Sequence, residues 1–298
     1  MRIAITGTHG TLGTALEQRA QALGHIVLPL TRPEADVVDR DGILRGVAEA
    51  APDVVLHPAA YTDVDGCEKY PELAYRVNGI GTRNVALACA AQGVPLVYIS
   101  TNCVFDGAAT RPYVEWDVRR PISVYGASKL AGEQYVEHLL TRFYIVRISW
   151  LYGRTGNHFV HKIVKAADSR GALSVVSDEI STPTYAEDLA AALLQLIQRP
   201  TYGWYHLVNS GSASRYEYAA WIMTLTGRHH VPLTPIALKD FVRPSAPPPY
   251  SVLANTVGAT DGIVLRPWTD ALADYIRVSP ELLYESRDQG SGIRGQGR

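Results

Sequence analysis

Cysteine is scarce. The 298 residues hold three, Cys67, Cys89 and Cys103. They have neither metal-ligand spacing nor the pattern of a disulfide framework, which points to a reducing compartment. Net charge is almost absent. Lys and Arg number 28 against 29 Asp and Glu, a balance of −1, so no long-range field draws nucleic acid or an anionic membrane. Long apolar runs are missing too. Nothing is long enough to span a bilayer, and the apolar opening at residues 3–5 is too short for a signal peptide. The expected setting is the cytoplasm, with neither nucleic acid nor membrane as partner. What remains is an ordinary globular composition, 47% hydrophobic and 19% charged. That length suits one large α/β domain, a smaller satellite and a sizeable core.

Short apolar runs alternate with helical patterns through the first half. Strands are expected at residues 3–6, 26–30, 53–56, 96–99 and 144–148. Helices are expected at 12–23, at 73–91, at 123–140, and from a cap at Asp39 to about Ala51. Alternation of this kind predicts a Rossmann-type, doubly wound parallel sheet. The strands are nearly all apolar, as when helices cover both faces. After Trp150 the alternation weakens, leaving a helix at 187–198, a strand at 204–207 and a helix at 216–225. The stretch 243–250 is proline-rich and reads as an irregular loop. The expected division is a dinucleotide-binding domain over 1–150, with some later segments returning to it. A mainly substrate-binding domain follows over 151–284, then a disordered tail over 285–298.

The first strand runs into Gly7-Thr8-His9-Gly10-Thr11-Leu12-Gly13. Gly7 permits a tight turn, Gly10 lets backbone approach a pyrophosphate, and Gly13 lets the helix pack against the sheet. The helix then offers free N–H groups and a positive dipole end to phosphates. A glycine pattern alone is weak. Placed between a strand and a helix at the start of the chain, it is specific. The acid that would hold a ribose hydroxyl at the end of the second strand is missing, and Thr31-Arg32 stands there. A hydroxyl and a guanidinium suit a 2′-phosphate, although a solvated surface arginine would look the same. Asp36, followed by Val37, can instead meet the adenine amino group. At the end of the third strand, Ala59-Ala60-Tyr61 lets a cofactor lie against backbone.

Tyr125 and Lys129 stand four residues apart at the start of a helix and share a face. A phenol with a pKa of about 10 is a poor proton shuttle at neutral pH, and a neighbouring ammonium is expected to lower it. Small residues between the pair leave room for cofactor and substrate. Ligands of doubly wound sheets bind beyond the carboxyl ends of the strands. Thr101, ending the fourth strand, is therefore placed to hydrogen-bond a substrate carbonyl. His57 reads as a packed strand-end residue. Cys103 has no recognisable His or Asn partner, so a structural or substrate-lining role is expected rather than nucleophilic chemistry.

With these residues in place, the chain resembles the dTDP-4-dehydrorhamnose reductases, extended short-chain dehydrogenases, over nearly its whole length. The likeness is carried by Gly7, Gly10 and Gly13, by Ala59-Ala60-Tyr61-Thr62-Asp63-Val64-Asp65, and by Pro71-Glu72-Leu73-Ala74 with Asn78. Further pieces are Ser100-Thr101-Asn102-Cys103-Val104-Phe105-Asp106-Gly107, the Tyr125–Lys129 pair, Arg147-Ile148-Ser149-Trp150-Leu151-Tyr152, Pro183-Thr184, Tyr205-His206-Leu207 and Arg243-Pro244. The resemblance implies reduction of the 4-keto group of a dTDP-linked 6-deoxysugar by NADPH, with NADH as the alternative. It implies Thr101, Tyr125 and Lys129 as the catalytic set. It implies Asn102, Cys103, Trp150 and Arg243 around the sugar and diphosphate. The cofactor would meet Gly7, Gly10, Thr11, Leu12, Gly13, Thr31, Arg32, Asp36, Val37, Ala59, Ala60, Tyr61, Tyr125 and Lys129. Monomer or homodimer is expected.

Two departures stand out. The family usually reads Asp-Tyr where this chain has Asn102-Cys103, which bears on the identity of the sugar. Some members bind magnesium through a Glu early in the first helix. Ala15 stands at that position, so no metal is expected. Three rival functions remain. One is a sister dTDP-4-keto-deoxysugar reductase of an antibiotic or other tailoring pathway. Another is a non-catalytic subunit resembling the regulatory subunit of methionine adenosyltransferase. The third is a nucleotide-sugar epimerase or dehydratase, although dehydratases carry an Asp-Glu pair where Asn102-Cys103 stands.

Overall fold

The computed structural model describes residues 1–284, so the tail expected at 285–298 lies outside the described residues. The chain opens with β1 (Arg2–Thr6), α1 (Thr11–Ala22), β2 (Ile26–Leu30), α2 (Arg40–Ala50) and β3 (Val54–His57). Asp39 caps α2 by accepting a hydrogen bond from the N–H of Asp41, the arrangement that favours Asp at this position. Two short helices follow, α3 (Val64–Lys69) and α4 (Pro71–Ala74). A π-helical turn, Tyr75–Gly81, joins α4 to α5 (Thr82–Gln92). The sequence reads that stretch as one regular helix from 73. In the fold it starts at Pro71, which needs no N–H there, and widens in the middle, where Asn78 turns inward. Then come β4 (Leu96–Thr101), α6 (Val124–Leu139) and β5 (Phe143–Ile148).

β1 to β5 belong to one six-stranded sheet, joined at its edge by the later strand β10 (Gly203–His206) and ordered β10-β5-β4-β3-β1-β2, parallel throughout. Side chains alternate between its faces, as the pleat dictates. Ile3, Ile5, Val97, Ile99, Tyr144 and Val146 bury one way, against α1 and a later helix. Ala4, Val55, Leu96, Tyr98 and Ile145 bury the other way, against α2, α5 and α6. Strand order reverses between β1 and β3, which opens a crevice at their carboxyl ends. The glycine turn and the segment after His57 both emerge there.

The later chain adds β6 (Leu151–Tyr152), α7 (Phe159–Arg170), β7 (Leu173–Val176), β8 (Ile180–Ser181), β9 (Thr184–Tyr185), α8 (Ala186–Leu196) and β10 (Gly203–His206). It continues through β11 (Ala213–Ser214), α9 (Arg215–Leu225), β12 (Leu233–Ile236), α10 (Val257–Thr260) and α11 (Trp268–Arg277). α8 and β10 join the large sheet domain, α8 packing on α1 and β10 forming the edge beside β5. α10 packs on β10 as well, and α7, α9 and α11 with the short strands around them build a second core around Tyr152, Val160, Ile163, Tyr218, Ile222, Trp268 and Tyr275.

Alternation weakens after Trp150 only in its strands. α7 and α11 are ordinary amphipathic helices that the sequence reading passes over. Val160, Ile163, Val164 and Ala167 line one face of α7. Trp268, Ala271, Leu272, Tyr275 and Ile276 line one face of α11. Both show the three-and-four spacing of a buried helical stripe. No helix among the described residues is long and apolar enough to cross a membrane.

α6 is pressed unusually close to the sheet. A methyl group on Gly132 would overlap the Tyr98 hydroxyl and lie 2.7 Å from the Asn78 carbonyl oxygen. Gly132→Ala is therefore expected to lose about 1–3 kcal/mol of stability by overpacking, against a gain of up to about 1 kcal/mol in helix propensity. Urea unfolding checks this: a midpoint unchanged or raised would mean the helix has room to move.

Candidate active site

The glycine turn has the geometry its residues suggest. Gly7 adopts φ +61° and Gly10 donates to the Gly7 carbonyl at 3.0 Å. A methyl on Gly13 would overlap that same carbonyl oxygen. No side chain caps α1, so the first-turn N–H groups at Thr11, Leu12 and Gly13 are left for an anion. Leu12 is buried in the core, so only its backbone can serve a ligand. The Thr11 hydroxyl donates to the carbonyl of Thr155 at 2.7 Å, which binds the loop after β6 to the head of α1. This cradle fits a dinucleotide pyrophosphate.

At the end of β2, Arg32 is exposed and Thr31 half-buried. Asp36 accepts from the Val38 N–H at 3.1 Å, and the Val37 carbonyl accepts from Asn84 at 3.0 Å. The loop after β3 is bracketed by one residue. Asn78 accepts from the Tyr61 N–H at 2.8 Å and donates to the Tyr61 carbonyl at 3.0 Å. It also donates to the Ser128 hydroxyl at 3.0 Å, and Ser128 donates to the Tyr125 carbonyl at 2.8 Å. Asn78 thus locks the cofactor-side loop to α6. Alongside, Ala59 donates to the Thr6 hydroxyl at 3.3 Å.

His57 is fully buried between Thr6 (2.8 Å) and Thr82 (3.2 Å). Thr82 gives its proton to the Asn78 carbonyl, so it accepts from Nε2 while Nδ1 accepts from Thr6. Burial, aided by the charge of Lys129, lowers the His57 pKa to about 3. It is a neutral structural residue, as its place before a proline suggests.

α6 is capped by Ser123, whose hydroxyl accepts from the Gly126 N–H at 3.1 Å. A methyl on Gly126 would overlap the Cys103 carbonyl oxygen. That close approach sets Tyr125 beside Thr101. The small residues after Tyr125 therefore serve contact, not empty space: Gly126 abuts the loop after β4, and Ser128 is hydrogen-bonded.

Lys129 is buried, with Nζ 4.2 Å from the Tyr98 ring centroid. Burial lowers its pKa to about 7, with the Glu133 carboxylate pulling the other way. Tyr125 is pushed well above the ordinary phenol value, first by burial and then by Cys103, with a hydrogen bond to Thr101 opposing. The sequence leads one to expect a phenol lowered by its lysine. In the protein alone burial wins for both groups and favours a neutral phenol.

Beneath the pair lies a charge network that the sequence reading missed. Glu133 accepts two hydrogen bonds from Arg147, both at 2.9 Å, one from Arg119 at 3.0 Å and one from Ser100. Burial pushes its carboxyl up, but Arg147 and these hydrogen bonds outweigh burial and hold it below the usual value. Two signals were available: a lone arginine inside the apolar strand β5, and a glutamate one turn beyond Lys129.

The residues expected around the sugar are held by contacts of their own. Asn102 is buried. Its amide donates to Ser251 Oγ at 2.7 Å and Ser181 Oγ at 3.2 Å, and its oxygen accepts from Thr101 at 3.1 Å. Cys103 is partly exposed, and burial raises its thiol pKa to about 11 against the opposing hydrogen bond from Thr101. It is no nucleophile at neutral pH. Trp150 has φ +41°, and its ring carries the Arg215 guanidinium 3.6 Å from the ring centroid. Arg243 is paired with Asp65 at 3.0 Å, and Ser245 donates to the same carboxylate. That ion pair ties the proline-rich loop to α3 across the cleft. No cluster of metal-ligating side chains occurs among the described residues.

Comparison with known proteins is consistent along the chain. The sequence model of the family described as RmlD substrate binding domain matches residues 1–279. A dTDP-4-dehydrorhamnose reductase of Mycolicibacterium smegmatis is 41% identical over 280 residues, 92% of this chain and 85% of that protein. A dTDP-4-keto-6-deoxy-D-glucose reductase of Streptomyces niveus is 34% identical, covering 91% of this chain and 95% of that protein. The crystal structure of a Bacillus anthracis dTDP-4-dehydrorhamnose reductase in complex with NADP superposes with a TM-score of 0.90. It is 38% identical and covers 93% of this chain and 99% of its own.

The buried lysine makes a stability prediction. In the fold Lys129 titrates near pH 7, and in the unfolded chain near about 10.4. Between those values the unfolded state holds more protons, so stability contributed at this site rises with pH. The cost of the buried charge is fully present below pH 7 and is gone above about 10.4. Lys129→Met should therefore gain most over the native protein at pH 7, with the gain shrinking toward pH 10. Urea midpoints across that range measure it; a gain independent of pH would contradict the lowered value.

Proposed function

The chain belongs to the dTDP-4-dehydrorhamnose reductase family, and from that premise we propose that it reduces the 4-keto group of a dTDP-linked 6-deoxysugar with a nicotinamide cofactor. The observation that carries this reading is Tyr125 held beside Thr101 at the carboxyl end of β4, with Lys129 one turn further along α6, together with an anion cradle at Gly7–Gly13. Gly7, Gly10, Gly13 and the open N–H groups of α1 would hold the pyrophosphate. Ala59, Ala60 and Tyr61 would back the dinucleotide, and Lys129 would meet its ribose. When bound, the reduced nicotinamide supplies a hydride to the keto carbon.

The protein handles the oxygen. Thr101 opposes charge building on the carbonyl oxygen by turning its hydroxyl proton from Asn102 Oδ1 to that oxygen. Tyr125 gives that oxygen its proton. A half-buried phenol that holds its proton firmly suits this direction, because the alkoxide forming beside it is more basic still. Lys129, one turn along the same face, steadies the phenolate left behind.

A sister reductase of a tailoring pathway is the second reading, favoured by Asn102-Cys103. The amide of Asn102 faces Ser181 and Ser251, so its effect on the sugar is indirect. Cys103, smaller than the tyrosine usual in the family, leaves volume at the partly exposed edge of the cleft. A non-catalytic regulatory subunit has no observation in its favour beyond the fold.

NADPH is the proposed cofactor, since Thr31 and exposed Arg32 end β2 without an acid to repel a 2′-phosphate.

Two measurements test these assignments. Tyr125→Phe removes the proton and keeps the ring, so turnover of dTDP-4-dehydrorhamnose should fall roughly 10²–10⁴-fold with NADPH affinity retained. Near-native turnover would remove Tyr125 from the acid role. Arg32→Ala should weaken NADPH about tenfold or more while leaving NADH unchanged, the loss of one charge-assisted contact. Equal dissociation constants for NADPH in both proteins would return Arg32 to the surface.

A further inference from the structure

β8 is drawn to the end of β4, because Asn102 donates to Ser181 at 3.2 Å. Glu179 precedes that strand by one residue and lies two before Ser181. Residues two apart in extended backbone share a side, so Glu179 lies on the side where Asn102 and Cys103 stand. It is only 4% exposed. Its Oε1 accepts from Arg215 Nε at 3.0 Å and Nη2 at 2.9 Å, and its carbonyl accepts from the Arg215 N–H at 3.1 Å. Among the described residues no group donates to Oε2. The small part of this carboxylate that stays open leaves Oε2 free to accept from a donor in the cleft.

Arg215 is held by that pair over Trp150, its guanidinium carbon 3.6 Å from the ring centroid and 5.0 Å from that of Phe159. Tyr218, one turn further along α9, stacks on Phe159 at 5.3 Å. A ligand approaching that face of Trp150 therefore meets a guanidinium edge instead of indole. Among the described residues, Nη1 of Arg215 has no partner. The Cys103 thiol feels both charges, Glu179 raising its pKa and Arg215 lowering it. An acceptor oxygen and a donor nitrogen thus stand side by side near Cys103.

We propose that Glu179 and Arg215 form the specificity wall of the sugar subsite, selecting a 6-deoxyhexose that keeps its neighbouring ring hydroxyls over a dideoxy sugar that has lost one. Adjacent hydroxyls on a pyranose match the pair: one donates to Glu179 Oε2, the other accepts from Arg215 Nη1. A sugar lacking a hydroxyl leaves Glu179 Oε2 or Arg215 Nη1 without its ligand partner, which discriminates more strongly than lost apolar contact. The inference rests on the nucleotide-sugar reductase reading and adds the substituents that the site recognises.

Calorimetric binding of dTDP, dTDP-L-rhamnose and its 2-deoxy analogue tests it on the native chain, Glu179→Gln and Arg215→Met. The native protein should bind the rhamnose compound about tenfold or more tighter than the 2-deoxy analogue. In both variants that ratio should fall to within about twofold of unity, with dTDP itself bound as in the native chain. Glu179→Gln, being isosteric, decides the matter if Arg215→Met fails to fold. A ratio unchanged in Glu179→Gln, a native protein that does not discriminate, or equal weakening of all three ligands overturns the proposal. Turnover of dTDP-4-dehydrorhamnose by the native chain, followed in parallel, reports separately on the reductase reading.

Discussion

Glu133 is a carboxylate with no access to water, and much of the site depends on keeping it ionised. Four donors reach it, from β4, β5 and the segment before α6. Arg147 in turn donates to the Glu115 carbonyl and to His206. Removing one partner of such a pair leaves an uncompensated buried charge, typically at a cost of about 3–5 kcal/mol. The network therefore fixes how α6 sits on β4 and β5. It also places a negative charge one turn below Lys129, the main influence opposing that lysine's loss of its proton. Structure and chemistry share one group here: the anchor of the helix is also the counter-charge of the cleft.

Close backbone approach does the rest of the positioning. Gly126 and Gly132 let α6 touch the loop after β4 and the sheet itself, and Gly13 lets α1 do the same at β1. On the far side of the cleft, the second domain is fastened at three points. Asn102 reaches Ser181 and Ser251, Thr11 reaches Thr155, and Asp65 reaches Arg243 and Ser245. Each tie joins a residue next to the cofactor or catalytic side chains to a loop of the later chain. Cleft width and hydroxyl position are thereby coupled, because the Asn102 that holds the second domain also accepts the Thr101 proton.

The parallel sheet was legible because its strands are apolar on both faces and its turns carry glycine, and local patterns of that kind need no tertiary knowledge. The place of Thr101 at the end of β4, and of Tyr125 and Lys129 in the first turns of α6, was legible from motif position and strand order. α7 and α11 carried an equally plain helical stripe but sat outside a strand-helix rhythm. The Glu133–Arg147 pair, the Asn78 bridge and the Glu179–Arg215 pair were not legible. Each joins residues 14 to 50 positions apart in the chain, and no local pattern encodes such a pairing. Arg243 shows the reverse limit. Its type suggested a diphosphate ligand, while the fold supplies it with a carboxylate first.

Burial also explains why two groups with opposite protonation needs can share one helix face. Desolvation disfavours the charged form of each, so it raises a phenol and lowers an ammonium. Tyr125 keeps its proton and Lys129 yields one more readily, which opens a gap between two groups whose free values nearly coincide. Glu133 limits how far the lysine falls. Passing a proton from phenol to amine therefore costs more inside than between the free groups, so the phenol's proton is kept for a more basic acceptor. The site thus tunes its acid with the dryness of its floor, and one buried carboxylate sets how dry that floor can be before the lysine loses its charge altogether.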